Sequence, residues 1–143
     1  MTISDIVTVA QNAGFSGDDL VTAVAVAMAE SSGNPNALGD IGIGQGSFGL
    51  WQINSYYHPE FGPNFQILYD PQTNANAAYS VYTVAGNSFT PWSTFKTGSY
   101  QQFVSSVAAA VAVFVTQNPV ESAMIGTGVL FAIAIWFLSN RKG

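Results

Sequence analysis

Along the first third of the chain, apolar positions recur at helical spacing. Ile3, Ile6, Val7, Ala10 and Ala13 share one face and Gly14 follows them, which predicts a short amphipathic helix over 3–13. Ser16 or Gly17 then caps a second helix. Asp18 and Asp19 sit at its positive end, and its body, LVTAVAVAMAE, is almost wholly apolar until Glu30, so the pattern predicts a buried helix that ends in one carboxylate. Over 31–49, Gly, Asn, Ser and Pro interrupt every period, and 48–53 is a compact apolar run; together they predict a loop leading into a small β element near 41–54. Asp70-Pro71 joins a capping side chain to the residue best tolerated at the first helical position. Ala75, Ala78, Tyr79 and Tyr82 continue on one side, which predicts a third helix reaching Ala85. Residues 87–98 (NSFTPWSTFKTG) predict a loop, and 99–117 a fourth helix rich in Ala and Val.

A further apolar stretch differs in kind. Residues 123–139 (AMIGTGVLFAIAIWFLS) are uncharged throughout, with Trp136 near the end and Arg141 and Lys142 beyond, which predicts a single transmembrane helix over 120–139 with a short basic tail. The stretch 103–115 is too short to span and carries Ser105 and Ser106. Composition agrees with this division, because 48% hydrophobic and 8% charged residues are too oily for a soluble domain alone and too mixed for a polytopic membrane protein. At 143 residues the chain has room for one domain, 1–118, and one anchor, 119–143. A net charge of −5 with no basic cluster argues against nucleic acid as a partner. The absence of Cys removes thiolate nucleophiles and Cys-based zinc sites, and His58 alone builds no His cluster, so neither metal nor cofactor is expected. The first residues, MTISD, lack the basic and apolar regions of a secretory signal.

Glu30 is the informative carboxylate. It closes an apolar helix and is followed at once by a polar, Gly-rich loop, where a carboxyl becomes partly desolvated at a cleft wall. Desolvation keeps such an acid protonated near neutrality, as a general acid for glycosidic bond cleavage requires. On the pattern alone, a Glu at a helix end is more often a solvated residue without a role. Among the later carboxylates, Asp70 is accounted for as a cap and Glu60 lies in a surface turn, His58-Pro59-Glu60-Phe61. Asp40, in Gly39-Asp40-Ile41-Gly42, is the serious candidate for a second carboxylate, since a flexible loop could swing it across the cleft.

Four segments occur in a telling order: Glu30-Ser31, then GLWQIN over 49–54, then Asp70-Pro71 with Asn74-Ala75, then Pro91-Trp92-Ser93. Over residues 18 to about 105 the chain resembles the goose-type-lysozyme-like family of lytic transglycosylases, particularly its compact phage-type members. The resemblance implies an α+β, mainly α, lysozyme-like domain, here followed by a single C-terminal transmembrane helix. It also implies that Glu30 is the catalytic acid and base, that Ser31 positions the carboxyl or the sugar, and that Gln52 and Asn54 lie on the floor of a glycan cleft. Leu50, Trp51 and Ile53 fit core packing beneath that floor. The family's tyrosine that bonds the catalytic carboxyl should come from the third helix; the paired aromatics are not adjacent here and Ala78 or Ser80 replaces a customary Gly, so either Tyr79 or Tyr82 could serve, with Tyr82 preferred. Trp92 could stack on a sugar or plug the domain.

The resemblance implies a lytic transglycosylase that cuts peptidoglycan between N-acetylmuramic acid and N-acetylglucosamine, and with the apolar stretch and the missing signal it predicts a membrane-anchored enzyme for phage wall penetration. Its partners would be peptidoglycan glycan strands, a lipid bilayer through 120–139 and virion structural proteins, and its location a virion or host cell membrane with one C-terminal pass. Two alternatives remain: a hydrolysing lysozyme on the same fold, and a non-catalytic glycan-binding structural virion protein.

Overall fold

The structure, a computed structural model, describes residues 1–118. Helix α1 (Ile3–Ala13) opens with a reciprocal cap: the Thr2 hydroxyl accepts from the Asp5 amide at 3.2 Å and the Asp5 carboxylate accepts from the Thr2 amide at 2.9 Å. Its apolar face buries Ile6, Val7 and Ala10. The chain then reverses at Gly14, whose φ of 120° is open to glycine, and a Cβ there would lie 2.8 Å from the Tyr79 ring. This close approach sets α1 against the third helix.

Helix α2 (Gly17–Ser31) is the axis of the domain. Every residue from Ala23 to Ala27 is buried, because α1 and the last helix cover two sides of it and a large indole covers a third. That indole is Trp51, fully buried, and its Nε1 donates to the Ala23 carbonyl at 2.9 Å. A Trp buries a large area and needs a partner for its one polar atom, so this bond fixes the 49–54 segment on α2.

Three two-residue strands, β1 (Leu38–Gly39), β2 (Ser47–Phe48) and β3 (Ile53–Asn54), form an antiparallel sheet in that order, with Leu38 opposite Phe48 and Ser47 opposite Asn54. Strands this short carry few ladder bonds, and side chains complete the frame. The fully buried Asn74 accepts from the Trp51 amide at 2.8 Å and donates to the Phe48 carbonyl at 2.9 Å. It projects from helix α3 (Pro71–Val84), which starts as the sequence predicts: Pro71 stands in the first turn and the Asp70 carboxylate accepts from the Thr73 amide at 2.8 Å. Two 3-10 turns, Pro59–Phe61 and Phe65–Tyr69, carry the chain from the sheet to α3.

The predicted loop at 87–98 contains one helical turn, α4 (Ser93–Lys96), and the chain then enters α5 (Gln101–Gln117). Four helical residues are too few to register as a period. Helix α5 buries Val107 and Val111 against α1 and α2, so its apolar character belongs to the core. The expectation of a C-terminal transmembrane helix is corrected here. No helix among the described residues is long and apolar enough to cross a membrane, and the stretch 120–139 on which the expectation rested lies outside the described residues, as does the anchor segment 119–143. An apolar run is a statement about composition, and composition alone does not establish a spanning helix. The single-pass membrane location falls with it, and the described residues support a mainly helical α+β domain.

Candidate active site

A cleft of about 480 Å³ opens between the end of α2, the small sheet and the 91–96 segment, a volume in the range of small-ligand sites. Glu30 reaches its wall from the last turn of α2 because the helix stays buried up to Ala27 and becomes half-exposed only over its last residues. Its Oε1 accepts a hydrogen bond from the Thr94 hydroxyl at 2.7 Å. Burial holds the Glu30 carboxyl above its ordinary range; the Thr94 bond opposes that rise, and the negative charge of Asp40 adds to it. The outcome is an acid biased towards its protonated form at the edge of a cleft.

Asp40 faces the same cleft from the loop after β1, at a backbone φ of 49°. Its Oδ2 accepts from the Ser47 hydroxyl at 2.6 Å, and Ser47 Oγ in turn accepts from Asn54 Nδ2 at 2.9 Å. Ser47 and Asn54 are both buried, so the exposed Asp40 is tethered at one oxygen to a fixed, buried pair of side chains. Asn54 also accepts from the Tyr56 amide at 2.9 Å, so both ends of its amide brace protein.

The structure brings Glu30, Asp40, Gln52, Asn54 and Trp92 to one cleft. The Gln52 nitrogen donates to the Gly49 and Ala37 carbonyls at 2.8 and 3.2 Å, tying the floor to the loop before β1. Trp92 is 5% exposed and donates from Nε1 to the Trp51 carbonyl at 2.8 Å, so most of its ring sits in the core while its edge lines the cleft. Ser31 turns back on its own helix, donating to the Ala27 carbonyl at 2.9 Å. The two tyrosines lie apart from the cleft lining. Tyr79 packs edge-on against Phe15, and Tyr82 donates to Asp19 Oδ2 at 2.7 Å; burial first and Asp19 second push its phenol up to about 12. Glu60 pairs with His58 at 3.2 Å on the surface.

Sequence reasoning missed Thr94, Ser47, Tyr57 and Lys96. Thr94 follows the Pro91-Trp92-Ser93 segment directly, and that adjacency was the one signal available for it. A Thr94→Val substitution preserves shape and deletes the bond to Glu30. Loss of a hydrogen bond to a charged group is worth about 1.5–3 kcal/mol, so activity on peptidoglycan should fall by about tenfold or more. Since that bond lowers the Glu30 pKa, the alkaline limb of the rate profile should move to higher pH. An unmoved limb in the kcat/KM profile would remove Thr94 from the chemistry.

Among the described residues no group of His, Cys, Asp and Glu is arranged to hold a metal ion. A family model described as a lysozyme-like domain matches residues 7–94. No curated protein and no solved structure matches. The matched span starts within α1, includes both carboxylates of the cleft and the whole sheet, and ends on the threonine that holds Glu30. Since it covers more than half of the sequence, the chain belongs to the lysozyme-like domain family.

Proposed function

We propose that this domain cuts the glycan strands of peptidoglycan and does so as a lytic transglycosylase, at the bond between N-acetylmuramic acid and N-acetylglucosamine. The observation that carries the reading is the half-buried Glu30 carboxyl, with its pKa raised by burial, at the wall of a cleft. In the reaction, Glu30 gives its proton to the glycosidic oxygen as the C1–O bond breaks. The carboxylate then takes the proton of the muramyl 6-hydroxyl while that oxygen bonds to C1, which closes a 1,6-anhydro ring and regenerates the acid. One carboxyl in two protonation states suffices. Gln52 and Asn54 form the floor on which the strand rests, and Trp92 presents an edge to it. Ser31, Tyr79 and Tyr82 support the scaffold in this reading.

Asp40 favours a second reading, a hydrolysing lysozyme, because it faces the same cleft and a second carboxylate can activate water. Transglycosylation is preferred because Asp40 is already bonded to Ser47 and its charge helps keep Glu30 protonated. Mass analysis of released fragments separates the two. Expected are 1,6-anhydro ends and substantial activity in Asp40→Asn, which preserves shape and removes the charge. Because Asp40 raises the Glu30 pKa, the alkaline limb of that variant should shift to lower pH. Free reducing ends together with an inactive Asp40→Asn would make the enzyme a hydrolase.

A further inference from the structure

Among the described residues Lys96 is the one Lys or Arg, while every Asp and Glu of the chain except Glu121 lies there too. In an acidic domain a lone Lys marks a place where an anion can approach. Lys96 is the last residue of α4 and lines the cleft, beside Ser93 and Trp92 and with Glu30 and Asp40 in the same lining. Among the described residues the one close contact of a basic with an acidic side chain is that of His58 with Glu60, so no described carboxylate holds the Lys96 ammonium. A single helical turn has a small dipole, which gives a lysine little reason to stand at its end for the fold's sake. The negative charge of Asp40 in the cleft would repel an anionic strand, and a cation at its edge offsets that repulsion.

We propose that Lys96 is the carboxylate-binding residue of the cleft and biases it towards glycan strands that carry anionic substituents over neutral ones. The inference rests on the glycan-cutting reading of the cleft and names the feature of the strand that is selected. Peptidoglycan offers carboxylates from two sources: its stem peptides, and the lactyl group of muramic acid once the peptides are removed. Both present the same chemistry to an ammonium, a planar anion able to accept its hydrogens.

Binding measured on the full chain in a Glu30→Gln background tests this without turnover. Three probes are compared: intact peptidoglycan, strands stripped of peptides by an amidase, and neutral chitin oligosaccharides. Adding Lys96→Gln should weaken binding to an anionic probe by about two- to fivefold at low ionic strength, as expected of an exposed ion pair. At about 1 M salt, where charges are screened within about 3 Å, the difference should vanish. Lys96→Arg should restore binding, and chitin binding should not change. A loss confined to intact peptidoglycan assigns the stem-peptide carboxylates; a loss confined to stripped strands assigns the lactyl group. Unchanged affinity of Lys96→Gln, relative to the Glu30→Gln parent, for both anionic probes, or an equal loss on chitin, would overturn the proposal. Activity of the unsubstituted chain is scored separately: Lys96-dependent binding without released fragments would sustain this inference and remove the enzymatic reading.

Discussion

Glu30→Gln should lower fragment release from purified peptidoglycan by about 10³-fold or more, since a positioned acid-base group contributes about 10² to 10⁴ and Glu30 serves both steps. The amide keeps the shape and accepts the Thr94 hydroxyl as the carboxylate does, so the cleft should survive the substitution. Stability should move the other way. The folded pKa of Glu30 is raised by burial, so the folded state holds the proton more tightly than the unfolded chain does. That contribution is complete below the unfolded value, near 4.5, and is lost as pH rises through the folded value. Above that window an ionised Glu30 is a cost to the fold, which Gln does not carry. Glu30→Gln should therefore melt above the parent protein near neutrality, and the two should converge below about pH 4. A variant that is inactive and also less stable at pH 7 would show a collapsed site, and one that keeps a tenth of the parent rate would remove Glu30 from the chemistry.

The parts of this design that follow local rules were legible in the sequence. Gly14 and Ser16 mark the turn between α1 and α2, and Asp70-Pro71 marks the start of α3, because caps and fixed φ angles act within a few residues. The apolar body of α2 delivers Glu30 to the surface at its end, and this too is a matter of period. The site beyond Glu30 was harder to read. Periodicity places Tyr79 and Tyr82 on one face of α3, as the structure does with ring centroids 6.0 Å apart, but it does not say what that face meets. It meets Phe15 and Asp19. The sheet starts at Leu38, ahead of the predicted 41–54, because strands of two residues have no alternation to detect. Thr94 meets Glu30 across 64 positions of sequence, a contact that only the packed tertiary structure creates.

The sheet's dependence on one buried amide leads to the second large effect. Asn74→Ala should leave the Trp51 amide and the Phe48 carbonyl without their partner in the core, where no other side chain among the described residues is bonded to either. The orphaned Trp51 amide costs about 1–3 kcal/mol and the Phe48 carbonyl loses one bond worth about 0.5–1.5 kcal/mol, so the variant should lose about 2–4 kcal/mol, a large share of the 5–15 kcal/mol that ordinarily holds a domain folded. For a domain of this size that corresponds to a fall in Tm of roughly 10 °C or more. Little relaxation is available to soften it. Gly49 passes so close to the Leu68 carbonyl and the Asn74 side chain that a Cβ would clash with both, which shows how tightly the backbone is seated around this amide. The neighbouring Asn76 is exposed and its carbonyl accepts from Gln72, so Asn76→Ala supplies the control and should change stability by no more than about 0.5 kcal/mol. Hydrogen exchange gives the local readout. In Asn74→Ala the Trp51 amide should lose protection well before the amides of α2 do, because the sheet would detach from α3 while the helical core remains. Fragment release should fall further than the folded fraction does, since Asp40, Gln52 and Asn54 all reach the cleft from this sheet or the loops that join it. A Tm within about 2 °C of the parent, with Trp51 still protected, would show that the strands hold without Asn74.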